Sequence, residues 1–233
     1  MKEWQFFMLL ALLGYLIGSI SFARILFHIK RPGVEPVKIR TVSTDGSIVM
    51  ETHAVGATSA LLAFGKKWGL LIMVLDLLKA FVPMALYRVL GEEPHGHLVL
   101  GNFILIGHLW PVYHLRKGGG GNSTAMGMML AASPLGFLVT QILGMAIGMK
   151  LKGIMFMAGI LFAIPWFMLT KGIFSAETLF ALVMSVTYLA AQMPETLRFL
   201  QWKKKGYTFE SDQVLHMMRH GKGKTDRDEQ REG

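Results

Sequence analysis

No cysteine occurs in the 233-residue chain. Disulfide staples, thiolate metal sites and cysteine nucleophiles are therefore excluded. Charge is also scarce. Asp, Glu, Lys and Arg make up 17% of residues, against about 25% in ordinary soluble domains. Acidic residues are the scarcer sign, 15 against 24 Lys and Arg, which leaves a formal net charge of +9. No basic groove interleaved with aromatics is visible, so nucleic acid is excluded as a partner. What fills the deficit is apolar: 52% of residues are hydrophobic and the mean hydropathy is +0.44. The apolar residues fall in long blocks, the pattern of a membrane protein. The 26 glycines suit close packing of helices in lipid.

Seven apolar blocks follow one another: Trp4 to His28, Lys67 to Leu90, His97 to Leu115, Asn122 to Ala132, Leu135 to Met149, Ile154 to Thr170 and Ala176 to Ala191. The first is longer than the 7–15 residues typical of a signal-peptide core and lacks an A-x-A cleavage pattern, so it reads as a retained span. The expectation is an all-α fold, a polytopic helix bundle of about seven spans. Placing the amino end outside and the carboxyl end in the cytoplasm puts Lys30 to Lys67, Arg116-Lys117, Lys150-Lys152 and the Lys203 region inside. Apart from Lys2 at the amino end, only Arg88 and Lys171 then fall outside. Residues 1–203 form the expected membrane domain and 204–233 a polar, disordered cytoplasmic tail. Between the first two spans, Thr44-Asp45-Gly46 separates two β-prone runs and predicts a small cytoplasmic hairpin over 38–52.

The sharpest local feature is the run from Gly107-His108 through Pro111 to Arg116-Lys117-Gly118-Gly119-Gly120-Gly121-Asn122-Ser123-Thr124. An apolar helix, two cations, a glycine quartet and a hydroxyl-bearing helix start succeed one another. Main-chain N–H groups at such a start favour anions, and glycines let a phosphate approach the backbone. The same residues also suit a flexible loop with two topology-setting cations. Thr52-His53-Ala54-Val55-Gly56-Ala57-Thr58-Ser59 is a second small, polar stretch, in which Thr58 and Ser59 can donate to phosphate oxygens. It equally suits a capped interfacial helix. Asp76 and Lys79 share a helix face inside a span and read either as a support for the site or as a structural pair. His108, near the inner end of the third block, suits a base, a substrate hydrogen bond or simple packing. His216 and His220 lack a carboxylate partner set, so no metal site is expected.

Together these motifs resemble the PlsY-type acyl-phosphate:glycerol-3-phosphate acyltransferase family. Gly14-Tyr15-Leu16-Ile17-Gly18-Ser19-Ile20-Ser21-Phe22 is similar to the family's Y-L-x-G-S-I-P-F/T, and Gly56-Ala57-Thr58 to the G-A-T of G-S-G-N-x-G-A-T-N. Gly65-Lys66-Lys67-Trp68-Gly69 and Leu75-Asp76-Leu77-Leu78-Lys79 match G-K-K-x-G and L-D-x-L-K. Gly107 to Gly119 resembles G-H-x-F-P-V-F-x-x-F-K-G-G, and Glu195 stands at the E of H-R-E-N-I-x-R-L. The chain departs at Thr52 (family Ser), at Glu51 and His53 (Gly), at Ala54 and Ser59 (Asn), at Leu62 (Arg) and at Gly120 (Lys). It departs again at Met193 (His) and Thr196 (Asn).

The resemblance implies a multi-pass protein of the bacterial plasma membrane. It implies transfer of an acyl group from acyl-phosphate to glycerol 3-phosphate or a related phosphorylated acceptor in phospholipid synthesis, among membrane lipids and with no cofactor. Thr52, His53 and His108 are the candidates to orient or deprotonate the hydroxyl. Thr58, Ser59, Arg116, Lys117, Gly118, Gly119, Gly120, Gly121, Thr124 and Glu195 are the candidates to bind phosphate or substrate. The departures leave open a degenerate relative that binds lipid or a lipid-synthesis partner without turnover. A transporter would call for inverted repeats, and none is evident.

Overall fold

The computed structural model describes residues 2–34, 36, 39–42, 47, 49–52, 54–114, 118–150 and 155–207. The first apolar block folds as two helices, α1 (Glu3–Ser19) and α2 (Phe22–Lys30). The break follows from Ser21, whose hydroxyl accepts the Arg24 N–H and caps α2. Helix α1 therefore ends with carbonyls that have lost their intrahelical partners, Gly18 and Ile20 among them.

Next come strands β1 (Ile39–Val42) and β2 (Val49–Thr52), paired antiparallel with Ile39 opposite Thr52 and Val42 opposite Val49. The Thr44-Asp45-Gly46 turn lies outside the described residues. Helix α3 (Ala57–Phe64) is short and ends at Gly65, where φ is +88° and the chain turns into α4 (Lys66–Leu90). Helix α5 (Gly96–Leu109) stops short of the expected Leu115, because Pro111 has no N–H to continue it. Helices α6 (Asn122–Ala132) and α7 (Pro134–Lys150) follow, divided at Ser133-Pro134. Helices α8 (Met155–Leu161) and α9 (Ala163–Lys171) run nearly as one, since Phe162 stays right-handed helical and donates to the Ala158 carbonyl. Pro165 in the first turn of α9 accounts for the interruption. Helix α10 (Ala176–Lys204) is the longest, at 29 residues.

Helix α5 is the axis of the bundle: 11 of its 14 residues are buried. It lies among α1, α4, α6 and α10. Met84, Ile104, Leu105, Met128, Met129, Phe167 and Met184 fill the core around it. Glycine sets how close α1 comes. A Cβ on Gly14 would sit 2.6 Å from the Leu100 carbonyl oxygen, and one on Gly18 or Gly107 would overlap the main chain of the other helix. Small residues at such a crossing are the usual means of close helix packing in lipid.

The exterior is apolar where a soluble protein's is polar, and several polar groups are buried within the apolar core. Asp76, Lys79, His108, Thr124 and Ser185 are buried, while Leu12, Leu70, Leu138, Ile142, Leu179 and Val186 face outward. Glu3–Lys30 taken together, Lys66–Leu90 and Ala176–Trp202 are long and apolar enough to cross a bilayer. Gly96–Leu109, Pro134–Ile147 and Met157–Lys171 are shorter apolar helices.

Candidate active site

The glycine quartet joins the end of α5 to the start of α6, and each of its residues has a distinct environment. The Gly118 N–H donates to the Leu109 carbonyl at 3.0 Å and the Gly119 N–H to the His108 carbonyl at 3.1 Å, so these two close the last turn of α5. The Gly118 carbonyl accepts the Val55 N–H at 2.9 Å, which joins the loop to the turn ahead of α3. A Cβ on Gly119 would overlap the His108 imidazole. Gly121 is left-handed, with φ at +83°, and caps α6. Gly120 is different: a Cβ there would meet nothing closer than the Gln192 side chain at 3.9 Å.

Two side chains of α10, one helical turn apart, fasten this loop. Gln192 donates from Nε2 to the Gly120 carbonyl, and the Tyr188 hydroxyl donates to Asn122 Oδ1. The N-cap residue of α6, Gly121, offers no side chain to the first turn of that helix. Its leading N–H groups therefore retain their capacity for an anion. On the other side of the loop lies Gly56, whose Cβ position is 3.9 Å from Gly119 Cα. The Val55–Ser59 turn, the quartet and α10 thus meet in one place.

Beneath the loop lies a buried polar cluster. Lys79 Nζ is 3.1 Å from Asp76 Oδ1, 3.0 Å from the Ile20 carbonyl oxygen, 3.3 Å from the Gly18 carbonyl oxygen and 2.7 Å from His108 Nδ1. Asp76 Oδ1 has no aligned donor among the described residues, so its contact with Lys79 is an ion pair rather than a directed hydrogen bond. The cluster joins the frayed end of α1 to α4 and α5. Farther out, Tyr15 donates to the Trp110 carbonyl at 2.9 Å, and Ser19 accepts the Val112 N–H at 3.2 Å, which fixes the turn leaving α5. His114 follows that turn. Burial and the nearby charge of Arg24 hold its imidazole below the ordinary value.

The residues picked out from the sequence fall into three groups. His108, Gly118, Gly119, Gly120 and Gly121 converge, and Thr58 is half-buried on the first turn of α3, two residues past Gly56. Glu195 lies on α10, three residues beyond Gln192. Thr52 ends β2, and its side chain lies outside what the structure describes, as do His53, Arg116 and Lys117 entirely. Ser59 and Thr124, picked as phosphate donors, have their hydroxyls engaged internally. Ser59 Oγ accepts the Gly56 N–H at 2.8 Å and donates to the Gly56 carbonyl at 2.9 Å. Thr124 Oγ1 donates to the Asp76 carbonyl at 3.2 Å, tying α6 to α4. Tyr188 and Gln192 escaped the sequence reading. Their only signal is a polar pair at i and i+4 on an apolar helix face.

These features define a mainly helical integral membrane protein with a glycine loop over a buried charged cluster. The sequence model of the glycerol-3-phosphate acyltransferase family matches residues 8–201, and the chain belongs to that family. Glycerol-3-phosphate acyltransferase of Myxococcus xanthus is 35% identical over 139 residues, which are 59% of this chain and 66% of that protein. The Pseudomonas putida protein of the same name is 38% identical over 124 residues, 53% of this chain and 59% of that one. In both, the matched stretch is under two thirds of the relative's length. Two crystal structures of PlsY (YgiH), an integral membrane glycerol 3-phosphate acyltransferase, share the fold. The glycerol 3-phosphate form has a TM-score of 0.68 at 26% identity, and the lysophosphatidic acid form 0.65 at 29%. Each comparison covers 84% of this chain and 92% of the other.

Proposed function

We propose that the chain is a multi-pass acyltransferase of the bacterial plasma membrane that acylates glycerol 3-phosphate from acyl-phosphate. The acceptor hydroxyl oxygen attacks the acyl carbonyl carbon, and the bond from that carbon to the phosphate oxygen breaks. Lysophosphatidate and inorganic phosphate form, and the hydroxyl proton leaves with phosphate or solvent. In this reading about seven helices cross the bilayer with the amino end outside. Residues 1–203 form the membrane domain, 204–233 the cytoplasmic tail, and the quartet faces the cytoplasm.

The observation that carries the reading is the meeting of the Val55–Ser59 turn, the quartet and α10 in a chain of this family. The uncapped start of α6, with the N–H groups of Gly120 and Gly121 and the charges of Arg116 and Lys117, takes a phosphoryl group. Thr52, His53 and Glu195 serve the acceptor side, and Thr58 borders the pocket. Ser59 and Thr124 are structural in this reading, because their hydroxyls are engaged in main-chain hydrogen bonds.

The test uses purified full-length protein in liposomes with acyl-phosphate and glycerol 3-phosphate, and product identification by mass spectrometry. Lysophosphatidate above the empty-liposome level is expected, and Lys117→Ala should abolish it. Binding of either substrate without product would instead establish the non-catalytic, lipid-binding alternative.

A further inference from the structure

The environment of Lys79 decides which nitrogen of His108 carries a proton. Three of the four groups around Nζ are oxygens that only accept: the Gly18 and Ile20 carbonyls at 3.3 and 3.0 Å and the Asp76 carboxylate at 3.1 Å. The two carbonyls take two of the three N–H groups of an ammonium and leave the third for His108, while Asp76 balances the charge as an ion pair. An ammonium has no acceptor capacity, so at 2.7 Å His108 Nδ1 must be the acceptor. The alternative donor arrangement, His108 Nδ1–H to Asp76, is out of reach at 3.8 Å. The imidazole is then neutral with its proton on Nε2. The Nε2 edge of the ring is the one that lies against Gly119, where any Cβ would overlap it.

We propose that Lys79 is a positioning residue that fixes His108 as the Nε2–H tautomer. His108 thereby becomes a hydrogen-bond donor to an oxygen of the substrate on the glycine loop, not a base. The proposal rests on the reading that the loop takes a phosphorylated substrate. No proton is transferred to His108 in this role. The ring stabilises negative charge on the acyl carbonyl or leaving phosphate oxygen, and the hydroxyl proton goes elsewhere. The break after α1 acquires a purpose, since it supplies two of the carbonyls that hold the ammonium.

Two measurements test this. Nitrogen-15 NMR of histidine-labelled, full-length protein in nanodiscs reads the tautomer directly. At neutral pH, Nε2 of His108 should be protonated and Nδ1 bare. An Nδ1–H ring or an imidazolium overturns the proposal whether or not the protein turns over. The Asp76→Asn/Lys79→Met double variant removes both charges together and strands neither. It should lose the tautomer preference, and an unchanged spectrum contradicts the role of Lys79. Should that variant not fold, the wild-type spectrum still decides. In the acyl-transfer assay, His108→Gln keeps an amide N–H near the Nε2 position and should hold kcat within about tenfold of wild type, whereas His108→Leu should lose roughly 100-fold or more. Equal losses in the two variants overturn the donor role. A wild-type protein with no transfer defeats the acyltransferase reading alone and leaves the NMR result standing.

Discussion

Glycine does different work at the α1–α5 crossing and in the Gly118–Gly121 loop. At the crossing, Gly18 and Gly107 let two main chains touch, and a Cβ at either would strike the backbone of the opposite helix. In the loop the obstruction is unequal. Gly119 abuts the His108 ring, Gly121 needs a left-handed backbone, and Gly120 has open space around its Cβ position. The crossing is therefore a matter of assembly, and the loop one of access. They are linked, because the crossing brings the Gly18 and Ile20 carbonyls to Lys79 and so supports His108 under the loop.

Substitutions separate the two. Gly119→Ala should have the largest effect on turnover, because its methyl group displaces the His108 ring. A shift of about 1 Å at such a site can cost roughly 100-fold, so kcat should fall by that order while the protein remains folded. Gly14→Ala, at the same crossing but outside the Lys79 cluster, should act oppositely, lowering thermal stability in detergent by about 1–3 kcal/mol through overpacking, with activity lost only as the fold is lost. If Gly14→Ala impaired kcat in stable protein, the division between assembly and access would fail.

Tyr188→Phe removes the hydrogen bond to Asn122 and should reduce kcat/KM about fivefold, in line with a loss of roughly 1 kcal/mol. Thr124→Val should cost about 1 kcal/mol of stability with no change in KM, because its hydroxyl donates to the Asp76 carbonyl. A raised KM for glycerol 3-phosphate would return Thr124 to the substrate site. The smallest effect concerns pH. The depressed His114 value means the unfolded chain takes up a proton more readily than the folded one. That contribution is fully present above the ordinary imidazole value of about 6.5 and is lost as pH falls below it. His114→Asn should flatten the acid side of the stability profile slightly, as measured by thermal denaturation.

Much of the fold was legible because apolar blocks of spanning length need no tertiary information. The failures are local. The apolar run continues through Ile20 to Ile29, so only the cap at Ser21 betrays the α1–α2 break. The third block continues past Trp110 in composition, but Pro111 ends the helix. Within the site, four consecutive glycines stand out in any sequence, and Asp76 with Lys79 is visible as a pair three residues apart. That His108 joins them depends on the register of α4 against α5, which no single-sequence pattern carries. Residue type identified Ser59 and Thr124 as donors without saying to what. Gln192 binds a main-chain carbonyl of the loop and Tyr188 the Asn122 side chain from a distant helix, and nothing in spacing marks such partners.

The most direct test of the account uses the absence of native cysteine. Gly120→Cys introduces the single thiol at the glycine of the quartet whose Cβ position is open. A membrane-impermeant maleimide should label it from the cytoplasmic side only, and glycerol 3-phosphate or acyl-phosphate should protect it. Labelling from the outer side, or labelling that neither substrate slows, would contradict a cytoplasmic phosphate cradle at the quartet.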